Sequence, residues 1–241
     1  MDMYLHVRVL FSIILGLGVS RLLSGVARIV QHPKEYKVYW VHLLWALFAF
    51  LYLIHFWWWE YRLAAIQQWT FPLYFFIAMY AVIQFLLCVM LFPEEMTDYS
   101  GFKEYFYSRR RWIFSLMTIL FVADIADTAI KGAGYMRALG PAYYTRSALY
   151  ILLSLAAIKI KDELFHAGFA ILATPSEIGL ILKSYMTLSL KTVTKTTVHH
   201  CSGLAPDKFV YSALISPGWR RVLFPAALHL FRFVDLPLGA T

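Results

Sequence analysis

Five stretches of the chain are apolar almost without interruption for about the 20 residues that a helix needs to cross a bilayer core. They cover residues 9–30, 38–59, 72–92, 112–130 and 142–160. No regular alternation of polar and apolar positions runs through them, which sets aside a membrane barrel. A bilayer admits only barrels and helices, because a spanning segment must satisfy its own backbone. The pattern therefore predicts an all-α fold, an integral membrane helix bundle with five or six transmembrane helices. Aromatic residues gather at the segment ends, among them Tyr36, Tyr39, Trp40, Trp57, Trp58, Trp59, Trp69, Trp112, Tyr143 and Tyr144. Such belts sit at headgroup level. Pro141 opens the fifth segment at a first-turn position that tolerates proline.

The sixth apolar stretch, "LFHAGFAILATPSEIGLILKSYMTLSL", is interrupted by "TPSE". Thr174, Pro175 and Glu177 fall at the N-cap, N1 and N3 positions of a capping box, so a new helix is expected to begin at Pro175. A kinked span, a re-entrant hairpin, and a short helix followed by an interfacial one all fit. The expected organisation is a bundle over 1–173 and a basic, partly interfacial segment over 174–241. Within that tail, "SPGWRRVLFPAALHLFRFV" reads as a surface-lying anchor.

Composition sharpens this picture. The 241 residues are 61% hydrophobic and 15% charged, against about 45–50% and 25% in soluble domains. The net charge of +8 would suit nucleic acid only if the basic residues shared a polar face. They lie instead at the ends of apolar segments, facing lipid headgroups. Lys34, Lys37, Lys103, Arg109, Arg110, Arg111, Lys159 and Lys161 fall on one side, and Arg8, Arg62, Lys131, Arg137 and Arg146 on the other. That excess predicts an N-terminus outside and "FKEYFYSRRR" in the cytoplasm. The N-terminal stretch carries Asp2 early and Arg21 where a cleavage motif would be, so it reads as a retained first helix. Cys88 and Cys201 have no metal-ligand spacing and imply no disulfide framework.

Charge inside the apolar text is where function is sought. In "FVADIADTAIKG", Asp124, Asp127 and Lys131 share one helical face. Asp127 precedes Lys131 by four residues, the favourable order for an ion pair. Thr128 lies next to Asp124, which is left as the deepest carboxylate with no local cation. Counting about 1.5 Å per residue, Arg21 and Asp124 come to similar depths if helices 1 and 4 are neighbours, so Arg21 is the expected partner. Gly16, Ser20, Ser24 and Ala27 form one small-residue stripe on helix 1, and Gly18 and Gly25 another; both suit close helix packing. Helix 1 is therefore expected at the centre. Gln84 is a polar member of the same path or an interhelical hydrogen-bonder. Intramembrane ionisable residues are functional candidates.

Other chemistry is thinner. His42 and His55 lie near the two ends of the second segment, level with His166 and His6 respectively, and four histidines at two depths suit a di-haem cytochrome. Thirteen residues, however, place His42 and His55 about 140° apart around a helix, so no cofactor is expected, with haem the one to consider. Adjacent His199, His200 and Cys201 diverge too much for a metal site and have no second ligand pair. Hydrolase, metalloprotease and phosphate-loop motifs are missing from the sequence, and Glu94, Glu95 and Asp98 read as a solvated loop.

The runs "YWVHLLWALFAFLYLIHFWWW" and "RRRWIFSLMTILFVADIADTAIKG" resemble small multi-pass bacterial inner-membrane proteins without an assigned activity, over residues 8–170. The resemblance implies a location and no mechanism. The leading expectation is a conduit or transport-type component with a buried path for protons or small ions through Arg21, Asp124, Asp127 and Lys131. The alternative is a non-catalytic subunit or scaffold of a larger membrane assembly, and the third a haem-binding redox subunit. The expected partners are the lipid bilayer and other membrane subunits or further copies of the chain, with no nucleic acid.

Overall fold

The computed structural model describes residues 3–34, 36–66 and 68–200, with side chains through Leu182. The chain divides into two compact units, Met1–Tyr185 and Met186–Thr241, and the bundle belongs to the first. The expected anchor over 216–234, Cys201 and the side chains of His199 and His200 lie outside the described residues.

Helices account for nearly all of the described chain: α1 (Met3–Gln31), α2 (Trp40–Trp59), α3 (Phe71–Leu91), α4 (Phe102–Ile130), α5 (Ala133–Lys159) and α6 (Glu163–His200), with a 3-10 helix over Glu60–Ala65. Among the described residues there is no strand, and the fold is an all-helical membrane bundle. Five stretches are long and apolar enough to cross a membrane: Tyr4–Gln31, Trp40–Ala65, Phe71–Leu91, Phe102–Ile130 and Glu163–Leu182.

The expected fifth stretch, 142–160, lies within α5, which is less apolar than these five because Arg146, Ser147 and Ser154 dilute it. It runs back along α4, since Glu163 just beyond it pairs with Lys103 at the start of α4. Pro141 does start a helical piece, since Gly140 breaks α5 with φ of 71° and ψ of −177°. The residue before proline avoids the helical region, and glycine alone takes this backbone without strain.

The expected break at Pro175 is not there, and α6 runs through it. Thr174 is no N-cap; its hydroxyl points at the Leu44 carbonyl of α2, 3.4 Å away. Beside the proline, Ser176 donates to the Ala173 carbonyl at 2.9 Å, and Tyr150 reaches the same oxygen at 3.4 Å. Hydroxyls of this kind let a membrane helix carry proline, because they serve carbonyls near the missing N–H.

The core is aromatic. Trp45 of α2 meets Phe114 of α4 and Phe169 of α6, with ring centroids 5.3 and 4.8 Å away. Edge-to-face contacts at this spacing are worth about 0.5–1.5 kcal/mol each beyond area burial. They hold α2, α4 and α6 together through the half of the bundle nearer the α3–α4 loop.

Helix 1 is not central. It packs on α3 and α2, parallel to α3 by chain order, and shows Val9, Ile13, Leu17 and Leu23 to the outside. Gly16, Ser20 and Ser24 face outward with them, and a Cβ on Gly16 would meet nothing within 4 Å. The other stripe makes the contact. A Cβ on Gly25 would lie 2.2 Å from Phe92 Cγ, and one on Gly18 3.4 Å from Cys88 Sγ.

Candidate functional site

A cluster of buried charge forms where α2 ends, α4 ends and α5 begins. Glu60 follows three tryptophans and opens the 3-10 helix, which turns its side chain back into the bundle with no exposure. Lys131 caps α4 one turn beyond Asp127 and bonds both Asp127 Oδ2 and Glu60 Oε1, the latter at 2.8 Å. The lysine side chain is 1% exposed, and those of Glu60 and Asp127 are 0% and 2%. Burial alone would lower the Lys131 pKa, but the Glu60 and Asp127 carboxylates outweigh it and hold it above the ordinary lysine value. The lysine is therefore a fixed cation. Glu60 Oε2 and Asp127 Oδ1 have no hydrogen-bond partner among the described residues.

One turn deeper, Tyr143 of α5 donates to Asp124 Oδ2 at 2.9 Å and lies 3.0 Å from Thr128 Oγ1. The expected closeness of Thr128 and Asp124 is thus realised through a tyrosine. Arg146, one turn along α5 from Tyr143, contacts Glu177 Oε2 of α6 at 3.3 Å. Its guanidinium also lies over the Tyr150 ring, 5.6 Å from the centroid. The other Glu177 oxygen meets His55 Nδ1 at 2.5 Å. Glu177 is fully buried and joins α2, α5 and α6 through its two oxygens.

On α3, Tyr80 shares a hydrogen bond of 2.8 Å with Tyr52 of α2, and both hydroxyls lie within the field of Asp124. Gln84, one turn further along α3, is 1% exposed, and neither of its amide atoms has a hydrogen-bond partner among the described residues. Beyond it α3 turns Leu87, Cys88 and Leu91 to the interior.

Arg21 takes no part. Its guanidinium reaches Phe92 O at 3.3 Å and Glu94 Oε1 at 3.5 Å, at the opposite end of the bundle. Arg28 bonds the carbonyls of Glu94 and Pro93 at 2.6 and 2.8 Å. Cations belong at the carbonyl end of a helix, and these two cover the end of α3. The predicted Arg21–Asp124 pair fails because α1 packs on α3 and α2, away from α4.

The histidines also separate. His42 is buried among Phe92, Phe102 and Tyr105, while His55 bonds Glu177. His166 and His42 do come to one level, but the Phe106 ring lies against each of them, at 5.4 and 6.2 Å. His6 stacks on Tyr74. No group of three His, Cys, Asp or Glu side chains is placed to hold a metal ion among the described residues.

Four members of the cluster escaped the sequence reading: Glu60, Tyr143, Arg146 and Glu177. A glutamate directly after an apolar span, in "WWWEYR", was the available signal for the first. No protein-family model, curated protein or solved structure matches the chain.

Proposed function

We propose that the chain is a transport-type component of the inner membrane, its N-terminus outside, that passes protons or small ions by way of this cluster. The observation that carries the reading is a charge deficit. Glu60, Asp124, Asp127 and Glu177 are gathered in the bundle with two fixed cations, Lys131 and Arg146. Burying charge without compensation costs several kcal/mol per ion. A bound proton or an incoming cation makes up the difference, and exchange of that ion is what transport requires.

The arrangement is one-sided. Tyr52, Tyr80 and Gln84 extend the polar column inward from the carboxylates. The layer of Trp45, Phe114 and Phe169 then closes the interior. Passage to the far side needs that layer to part, so the conformation described is open, at most, toward the end where α2 and α4 finish. On the positive-inside count this end lies outside the cell.

The competing reading is structural, and it is favoured by Glu177 tying α2, α5 and α6 together. Proteoliposomes under an imposed pH gradient separate the two. Transport predicts that wild-type protein dissipates the gradient faster than empty liposomes and that Asp124→Asn does not. A structural role predicts no dissipation by either, with Asp124→Asn less stable.

A further inference from the structure

The ion can be narrowed from the geometry around Lys131, an inference that rests on the transport reading for its meaning but not for its test. We propose that Glu60 and Asp127 hold a single proton between them, with Lys131 as their built-in counter-ion, and that the ion exchanged here is a proton and not a metal cation.

One ammonium touches one oxygen of each carboxylate and brings the two groups together. Each carboxylate is left with a second oxygen, Glu60 Oε2 and Asp127 Oδ1, that is buried and has no donor among the described residues. Contact with the same ammonium makes the two carboxylates neighbours. Two ionised carboxylates are both acceptors and cannot bond to one another. A proton shared between the two groups turns one of them into a donor, serves an oxygen that has none, and brings the triad to zero charge. Only one O–H bond is made; the proton arrives from water and leaves by the same bond breaking.

The surroundings agree from every side. Asp124, one turn away on α4, adds negative field and is itself bonded by Tyr143 of α5. Tyr80 on α3 and Tyr135 on α5 both lie in the field of Asp127. The Tyr135 hydroxyl has no hydrogen-bond partner among the described residues, and Arg62 covers its ring from the 3-10 helix. Arg146 is drawn off by Glu177, which also holds His55, so neither supplies the second cation the triad lacks. On α1, Tyr4 reaches the Glu60 backbone carbonyl and not its carboxylate. A metal cation fares worse than a proton. It needs several oxygens arranged about it, and the lysine ammonium already stands between the two carboxylates.

The test is infrared spectroscopy of purified protein in lipid nanodiscs at pH 7, in light and heavy water. The expected result is a protonated-carboxyl stretch that shifts on deuteration and is lost in both Glu60→Gln and Asp127→Asn. Each variant leaves one carboxylate paired with Lys131, already neutral. A folded wild type without the band overturns the proposal, whatever becomes of the variants. So does a band that survives in either variant, because the proton then sits elsewhere. Sodium- or potassium-specific flux without the band would sink this inference and leave transport standing. The band without any flux would do the reverse.

Discussion

Lys131→Met removes the ammonium and keeps most of the stem. Packing changes little, because methionine is long and adaptable; what is lost is the cation common to Glu60 and Asp127. With one proton shared between them, the two carboxylates carry one negative charge, which the variant leaves buried without its cation. At an effective dielectric of about 20, unit charges 2.8 Å apart attract by about 6 kcal/mol, and burial takes back part of that. Breaking a buried ion pair from one side costs about 3–5 kcal/mol. Lys131→Met is therefore expected to lose about 3–5 kcal/mol near pH 8, read as thermal or denaturant unfolding in detergent. Two controls carry the sign. The pKa of Lys131 is raised on folding, so the stability it contributes is complete below the unfolded value of about 10.4. That contribution disappears as pH rises through the folded value, and wild type should converge on the variant only in strong alkali. Adding Glu60→Gln and Asp127→Asn to Lys131→Met removes the orphaned charge and should recover most of the loss. A Lys131→Met protein within about 0.5 kcal/mol of wild type at pH 8, or a triple variant no better than the single, would refute the reasoning, since surface-type pairs are worth that little.

Three further outcomes follow from the same contacts. Gly25→Ala puts a methyl 2.2 Å from Phe92 Cγ and should cost about 1–3 kcal/mol by overpacking, whereas Gly16→Ala meets open space and should be neutral or slightly stabilising in the same unfolding assay; equal effects would mean that α1 presents the other face. Arg21→Gln should cost under about 1 kcal/mol, because its carboxylate partner Glu94 is 85% exposed and such pairs are weak. Glu177→Gln should cost about 1–3 kcal/mol by leaving Arg146 and His55 without their carboxylate, and hydrogen exchange should rise around Pro175 in α6 while α3 is unaffected.

Much of the bundle is legible because lipid makes the pattern simple. Length and apolarity marked α2, α3 and the lower part of α4, and Pro141 marked a true helical start. Position four residues apart was enough to pair Asp127 with Lys131, since that contact is made within one helix. Contacts between helices were not readable in the same way. Arg21 and Asp124 matched in depth, but depth does not say which helices are neighbours, and α1 turned out to pack on α3. The small-residue stripes posed the same problem of azimuth. Both suit close packing, and only Gly18 and Gly25 are used within the chain. Thr174 and Glu177 have the order of a capping box, a local signal; the bundle overrides it by giving Glu177 two partners on other helices, Arg146 and His55. Glu60 carried no reading in the sequence, because its burial depends on the 3-10 turn that folds it back.

The most direct measurement of the central claim is proton flux by wild type, Asp127→Asn and Arg21→Gln in proteoliposomes, with the three proteins matched for stability. The cluster at the end of α2 and α4 predicts flux in wild type, flux in Arg21→Gln, and none in Asp127→Asn. Loss in Arg21→Gln with retention in Asp127→Asn would contradict the account and return the working path to α1. Silence in all three folded proteins would leave these charges as the ties that hold the helices together.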